Sequence, residues 1–157
     1  MPSRRNSIEL SPEEIRQYVD TRKTLIIVSN GRNGYPHPMP MWFYMDTAGN
    51  LYCTTFKKSQ KVLNFWRDPR ASLLVESGTE YAELKGVVIY ADTDVIDDVD
   101  VTTDTLVKIN SRGRTLDASA LEALTSAVRK TAEKRVVLKF KPREYVSWDH
   151  SRLGGRY

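Results

Sequence analysis

The most chemically suggestive stretch, residues 54–70, has the sequence TTFKKSQKVLNFWRDPR and brings hydroxyl and basic side chains to the start of a predicted helix. Its candidate ligand-binding residues are Thr54, Thr55, Lys57, Lys58, Ser59, Lys61 and Asn64. Hydroxyls, ammonium groups and helix N-terminal amides can converge on a phosphate through charge-assisted hydrogen bonds. Asn64 follows Lys61 by three residues and so shares its side of the helix. The stretch is interpreted either as an anion site or as a solvated basic turn.

A second unusual stretch, residues 34–43, reads GYPHPMPMWF. Three prolines without backbone donors require an extended chain at a sheet edge. Aromatic and thioether side chains suit a flat apolar ligand lying against such a strand. Composition alone favours a simpler interpretation, an edge strand with Trp42 in the core.

Familiar catalytic motifs do not occur in the chain. No nucleophile elbow, HExxH helix, P-loop or EF-hand loop is present, which disfavours hydrolases, ATPases and calcium-binding proteins. His37 and His150 are the only histidines and Cys53 is the only cysteine. We therefore predict no metal site and no intrachain disulfide.

Helices are predicted where caps and 3.6-residue periodicity coincide. Ser11-Pro12-Glu13-Glu14 combines a cap, an N-terminal proline and a capping-box glutamate, which predicts a helix from there towards Asp20. A second helix begins at Ser59, with Val62, Leu63, Phe65 and Trp66 expected on its apolar face, and ends at Asp68-Pro69. Residues 99–134 predict two helices broken around residues 111–113, with a capping box at Ser119 and Glu122.

Six strand segments are predicted from β-branched and aromatic residues between turns. They are residues 24–29, 36–45, 51–55, 71–76, 81–91 and 135–149, the last with a bend at Pro142. Five or six short strands with hairpin-length connections and inserted helices predict an antiparallel sheet that is closed or partly closed as a small barrel, a mainly β (α+β) fold. The turn at residues 30–34 lacks the G-x-G-x-x-G pattern, which argues against a doubly wound nucleotide fold.

Size and charge restrict the function classes further. A chain of 157 residues predicts one domain, with residues 1–10 and 154–157 expected to be flexible. The chain has 24 Lys and Arg against 20 Asp and Glu, and this net charge of +4 suits an anionic ligand better than nucleic acid. No run of about 20 apolar residues is present, so we expect a cytoplasmic protein that binds neither membrane nor nucleic acid.

Three motifs in order resemble a known family. They are G-x-P-x-x-x-P-M-W-F at residues 34–43, K-S-x-K-x-x-N-x-x-R-D-P-R at residues 58–70, and R-V-V-L-K at residues 135–139 followed by S-W-D-H at residues 147–150. Together they resemble the flavin- and deazaflavin-dependent oxidoreductases of the pyridoxamine 5'-phosphate oxidase-like split-barrel superfamily. The branch that uses the deazaflavin coenzyme F-420 is the most similar, and the likeness is weakest in the helical segment 99–133.

The resemblance implies a six-stranded antiparallel split β-barrel with peripheral helices. It also implies a homodimer with a cofactor groove at its interface. Thr54, Thr55, Ser59, Lys61 and Asn64 resemble positions that bind the cofactor phosphate and tail, with Lys57 and Lys58 beside them. Pro40, Met41 and Trp42 resemble the strand that runs along the ring system of the cofactor in that family.

The implied reaction is hydride transfer from reduced F-420 to a small electron-poor acceptor such as an enone, quinone or tetrapyrrole. Because the cofactor carries this chemistry, no paired carboxylates or triad are needed. The catalytic residues are undetermined, with Tyr44, His37, an arginine or water as candidate proton donors. FMN is the alternative cofactor, and a non-catalytic flavin- or heme-binding carrier is the alternative function.

Overall fold

A curled antiparallel sheet dominates the computed structural model, which describes residues 4–154. Its strands are β1 (Thr24–Asn30), β2 (Pro36–Trp42), β3 (Tyr44–Met45), β4 (Leu51–Phe56), β5 (Arg70–Ser77), β6 (Lys85–Ile96) and β7 (Arg135–Asp149). The helices are α1 (Pro12–Thr21), α2 (Gln60–Arg67), α3 (Val99–Ser111) and α4 (Ala118–Ala132). Short 3₁₀ helices span Arg4–Ser7, Tyr81–Glu83 and His150–Leu153. The predicted α+β split barrel is confirmed.

The strand count differs from the prediction because residues 36–45 form two strands. The sheet order is β2-β1-β5-β6-β7-β4-β3, so β2 and β3 are its opposite edges. Phe43 alone separates them along the chain and is 1% exposed. A single residue joining both edges requires the sheet to curl round on itself, which gives the half-barrel.

The core fills the concave side of this sheet. Leu25, Leu73, Ile89 and Leu138 are fully buried, and each comes from a different strand. Strand alternation places such residues on one face while their neighbours point outwards. Helix α2 joins this core through Phe65, whose ring meets Phe140 edge to face at 5.8 Å.

Helix α1 begins as predicted. Ser11 Oγ accepts from the Glu14 amide, and a Glu14 carboxylate oxygen accepts from the Ser11 amide at 2.7 Å. For α4 the predicted cap is wrong: Asp117, not Ser119, accepts from the Ala120 amide at 2.8 Å. An aspartate satisfies the same free amides, so the helix keeps its predicted place and its cap moves back by two residues.

The apolar face predicted for α2 is partly wrong. Val62 and Phe65 are buried, whereas Leu63 is 46% and Trp66 60% exposed. The positions facing the barrel include Lys61 and Asn64 instead. The buried face of the helix is therefore half polar and half apolar, which departs from the ordinary amphipathic pattern and puts polar groups beneath the helix.

Two predicted strands also change. Residues 81–83 form a 3₁₀ helix, so β6 begins at Lys85, and it runs on to Ile96. Strand β7 is continuous through Pro142, where the register with β6 shifts. A β-bulge tolerates a proline because one residue there is left out of the ladder.

The chain ends lie partly outside the described residues, namely residues 1–3 and 155–157 of the segments expected to be flexible. Within the described part, the Ile8 carbonyl accepts from the Asp149 amide and the Leu10 amide donates to Ser147 Oγ at 2.9 Å. None of the helices in residues 4–154 has the length and apolar character needed to cross a bilayer.

Candidate functional site

The edge strand β2 borders the candidate site. Pro36, Pro38 and Pro40 occupy alternate positions and pair with Asn30, Val28 and Ile26 of β1. This alternation keeps their missing N–H groups on one side of the strand, the side away from β1. No other strand of residues 4–154 pairs with that side. The strand therefore leaves an exposed, largely apolar border open to a ligand.

A groove of about 480 Å³ lies where the end of β2 meets the helical hairpin α3–α4; we call it the Trp42 groove. Its lining consists of Pro40, Met41, Trp42, Thr54, Leu106, Ile109, Asn110, Ala127, Val128, Thr131 and Arg135. Trp42 is 64% exposed, so its predicted core position is wrong. The chain turns inwards only at Phe43, which leaves the indole on the groove wall.

A second cavity, of about 600 Å³, borders the first half of the same strand; we call it the hairpin pocket. Arg32 and His37 of the β1–β2 hairpin and Gln60 and Asn64 of α2 line it. The two cavities border consecutive segments of β2, residues 36–39 and 40–42. A ligand lying along the strand can therefore contact both.

Arg135 is the least satisfied polar group of the Trp42 groove. Its Nη1 lies 3.4 Å from both the carbonyl oxygen and Oγ1 of Thr54, and its guanidinium lies 4.3 Å from the Phe56 ring centroid. Its Nε is buried without a hydrogen-bond partner among the described residues. Burial lowers the pKa of this guanidinium. A desolvated cation with a free donor favours an anionic ligand.

Lys61 is a second such cation. It is 8% exposed and makes no hydrogen bond or ion pair within residues 4–154. Burial lowers the pKa of its ammonium, and the positive charge of Arg135 lowers it further. Burial also raises the pKa of the nearby Cys53 thiol, so Cys53 stays neutral and does not act as a counter-ion. The residues present fit an anionic group between Lys61 and Arg135.

Hydroxyl groups lie next to these cations. Thr54 and Thr55 are buried, and Thr55 Oγ1 donates to Ser59 Oγ at 3.3 Å. Ser59 is the N-cap residue of α2, but its side chain makes no capping hydrogen bond. The first amides of this eight-residue helix, which carry no intrahelical partner, are thus not capped by Ser59 Oγ.

Asn64 has a positioning role within this arrangement. Its amide donates to Ser29 Oγ at 2.9 Å, while its oxygen accepts from Gln60 at 2.9 Å and from Arg67 at 3.1 Å. Arg67 also donates to the Asn30 carbonyl at 2.6 Å. These bonds fix α2 against β1 and so set the position of Lys61.

The structure does not bring all the predicted lysines together. Lys57 forms an ion pair with Asp97 at 2.5 Å, and Lys58 points into solvent without an ion-pair partner in the described part of the chain. Of the candidate proton donors, His37 lines the hairpin pocket. Tyr44 stacks on Tyr52 with ring centroids 4.8 Å apart, and burial raises its pKa.

Arg135 was not predicted as a site residue, and the contribution of α3 and α4 to the site was not predicted either. Arg135 opens β7 and pairs with Phe56 in the β4–β7 ladder, which puts it beside Thr54. In the sequence it is only a lone arginine at the start of a strand. Its place in the site becomes visible only from the strand pairing, which puts it beside Thr54.

Comparisons with known proteins agree with the split-barrel fold. The family model described as pyridoxamine 5'-phosphate oxidase matches residues 11–149. A conserved hypothetical protein of Mycobacterium tuberculosis has a similar structure, with 30% identity and a TM-score of 0.85 over 98% of this chain and 93% of that one. No curated protein matches the chain.

Two more distant structures share the fold. An F-420 reductase is 19% identical, with a TM-score of 0.64 over 86% of this chain and 98% of its own. The heme storage protein HutZ of Vibrio cholerae is 14% identical, with a TM-score of 0.62 over 87% and 94% of the two chains. Since the family model covers most of the chain, this protein belongs to the pyridoxamine 5'-phosphate oxidase family of split barrels.

Proposed function

We propose that this protein is an oxidoreductase that binds the deazaflavin F-420 along β2 and reduces a small electron-poor acceptor. The observation that carries the proposal is a pair of cations, the buried Lys61 and the half-buried Arg135, beside an exposed apolar edge strand. A flat ring joined to a phosphate matches that combination. The F-420 reductase of the same fold supports it as an analogy.

Each part of the site has a separate task. Lys61 and Arg135 hold the phosphate, with Thr54 Oγ1 beside Arg135. Pro40 and Met41 present the strand to the ring, and the Trp42 indole excludes water from one side. When bound in reduced form, the cofactor supplies a hydride to the acceptor, which also takes a proton from water or a protein group.

F-420 is proposed ahead of FMN because of its charge. It carries a phosphodiester and a polyglutamate tail, whereas FMN has one phosphate. Lys58 is exposed between β4 and α2, and Arg32 lines the hairpin pocket, so cations extend beyond Lys61 and Arg135. An extended set of cations benefits a longer polyanion more than a single phosphate.

Fluorescence titration of both cofactors at two ionic strengths tests this proposal. We expect F-420 to bind more tightly and to lose affinity more steeply with added salt, because exposed cations are screened. Lys61→Ala should weaken F-420 binding by about 1.5–3 kcal/mol, since a charge-assisted hydrogen bond is lost. The exposed Lys130→Ala is the matched control.

Two results would contradict the proposal. Equal affinities of wild type and Lys61→Ala would place the anion site elsewhere. If FMN copurified with the protein and F-420 did not bind, the proposed cofactor would be wrong and FMN would take its place.

A further inference from the structure

Next to the Trp42 groove lies a cavity of about 440 Å³, which we call the basic recess. Its lining residues are Lys23, Trp42, Phe43, Ile109, Asn110, Arg112 and Arg114. Three of these are cations, three are apolar, and none is a carboxylate. The Trp42 groove next to it is likewise lined without a carboxylate.

Arg112 forms the fixed wall of the basic recess. Its guanidinium donates to the carbonyls of Phe43 at 2.8 Å, Asp20 at 2.6 Å and Val19 at 3.3 Å, and lies 4.4 Å from the Phe43 ring centroid. The Asp20 carboxylate is 3.5 Å away and 66% exposed. These contacts hold a charged, planar group in place without filling the recess.

Lys23 and Arg114 are the exposed cations of the basic recess. Both are exposed, and neither has a carboxylate partner within the described residues. Arg114 donates to the Asn110 carbonyl through one nitrogen, which leaves its other donors free. Two unpaired cations above an apolar floor suit the carboxylate of a molecule whose body is flat and apolar.

The basic recess is continuous with the proposed ring site. Trp42, Ile109 and Asn110 line both the recess and the Trp42 groove. A molecule anchored at Lys23 and Arg114 therefore lies against the same indole that borders the groove. This is the arrangement that a second reactant needs beside a bound ring.

We propose that the basic recess binds the carboxylate of a planar, unsaturated acid, which is the acceptor substrate. The proposal rests on the proposed function and narrows its substrate class. Among electron-poor acceptors it favours those with an acidic side group over neutral quinones and enones. The anchoring groups are Lys23 and Arg114, with Arg112 as the rigid positive wall.

Binding of 2-naphthoate to the cofactor-free protein, measured by calorimetry, tests the recess directly. We expect the double variant Lys23→Gln/Arg114→Gln to bind about tenfold more weakly, since charge-assisted hydrogen bonds are lost. The neutral 2-acetylnaphthalene should bind wild type and variant equally. Lys130→Gln, which removes one exposed positive charge outside the recess lining, is the control. Equal naphthoate affinity in wild type and the double variant would overturn the proposal.

Titrating F-420 into the same proteins shows whether the recess binds a carboxylate of the acceptor or a carboxylate of the cofactor tail. If the recess holds the acceptor, the double variant binds F-420 as wild type does and loses only naphthoate affinity. If the variant loses F-420 affinity and keeps naphthoate affinity, the recess holds the cofactor tail and the acceptor proposal is wrong. Failure of every protein to bind F-420 or FMN, with naphthoate binding intact, would instead reject the proposed function.

Discussion

At the scale of single residues, Lys61 lowers the free energy of unfolding of the cofactor-free protein. The Lys61 side chain is 8% exposed and its ammonium has no counter-ion among residues 4–154, so folding removes part of its hydration without replacing it. Its pKa is held below the ordinary lysine value, so the folded chain binds this proton more weakly than the unfolded chain. The resulting destabilisation is greatest below the folded-state pKa of Lys61. It decreases as the pH rises towards the pKa of this lysine in the unfolded chain.

Lys61→Met should therefore stabilise the cofactor-free protein. We expect the free energy of unfolding to rise by about 1 kcal/mol at neutral pH, because a desolvated charge is replaced by an apolar chain of similar length. The gain should shrink as the solution becomes more alkaline. Urea denaturation at several pH values measures it, with Lys130→Met as control. A loss of stability across the whole pH range would show that Lys61 is satisfied in the folded state.

At the scale of secondary-structure elements, α2 connects the site to the barrel through Asn64. Three side-chain partners, Ser29, Gln60 and Arg67, depend on this one buried amide. Replacing Asn64 leaves buried polar groups without a hydrogen-bond partner. This lowers the free energy of unfolding more than the loss of an exposed hydrogen bond does.

Asn64→Leu should lower the free energy of unfolding by about 2 kcal/mol, since Ser29 Oγ loses its partner inside the barrel. Gln60→Ala removes one exposed member of the same network and should cost clearly less. Urea denaturation of both variants tests the difference. Equal losses would mean that the network does not hold α2 in place.

Local signals predicted where most elements lie. Ser11 and Glu14 make the capping box that their spacing indicates. The strand pattern indicated a small antiparallel barrel, and the family resemblance made it a split barrel. The face of α2 was not predictable in this way, because apolar Leu63 and Trp66 point outwards and polar Lys61 points inwards. Periodicity assumes that the apolar face meets the core, and that assumption fails where a helix borders a binding site or an interface.

The same limit applies to the candidate site. Residues on one stretch of sequence, such as Lys61 and Asn64, could be proposed from their spacing. Arg135 lies far from them along the chain and becomes a candidate only through its pairing with Phe56. Long-range register depends on how the whole sheet assembles, and a single sequence does not specify it.

At the scale of the whole molecule, exposed apolar side chains gather on the elements that border the hairpin pocket. Leu63 and Trp66 project from α2, while Tyr35 is 74% and Met39 36% exposed in the hairpin. Such residues are typical of a surface that another protein chain covers. We propose that a second copy of this chain covers it, as the homodimer prediction requires.

Light scattering should then give twice the 18.0 kDa chain mass. Leu63→Glu should shift the protein towards the monomer, because a carboxylate would be buried in the interface without a partner. Leu121→Glu on α4 changes a side chain of nearly equal exposure and serves as control. A wild-type monomer at micromolar concentration would reject both the dimer and a groove shared between two protomers.

The alternating prolines of β2 have a consequence for solubility. Pro36, Pro38 and Pro40 withhold three consecutive donors from the side of the strand that faces away from β1. A strand from another molecule cannot complete a ladder there, so the open edge resists the intermolecular β-sheet growth that leads to aggregation. The protein can therefore leave this edge open to a ligand, because a strand of another molecule cannot pair with it.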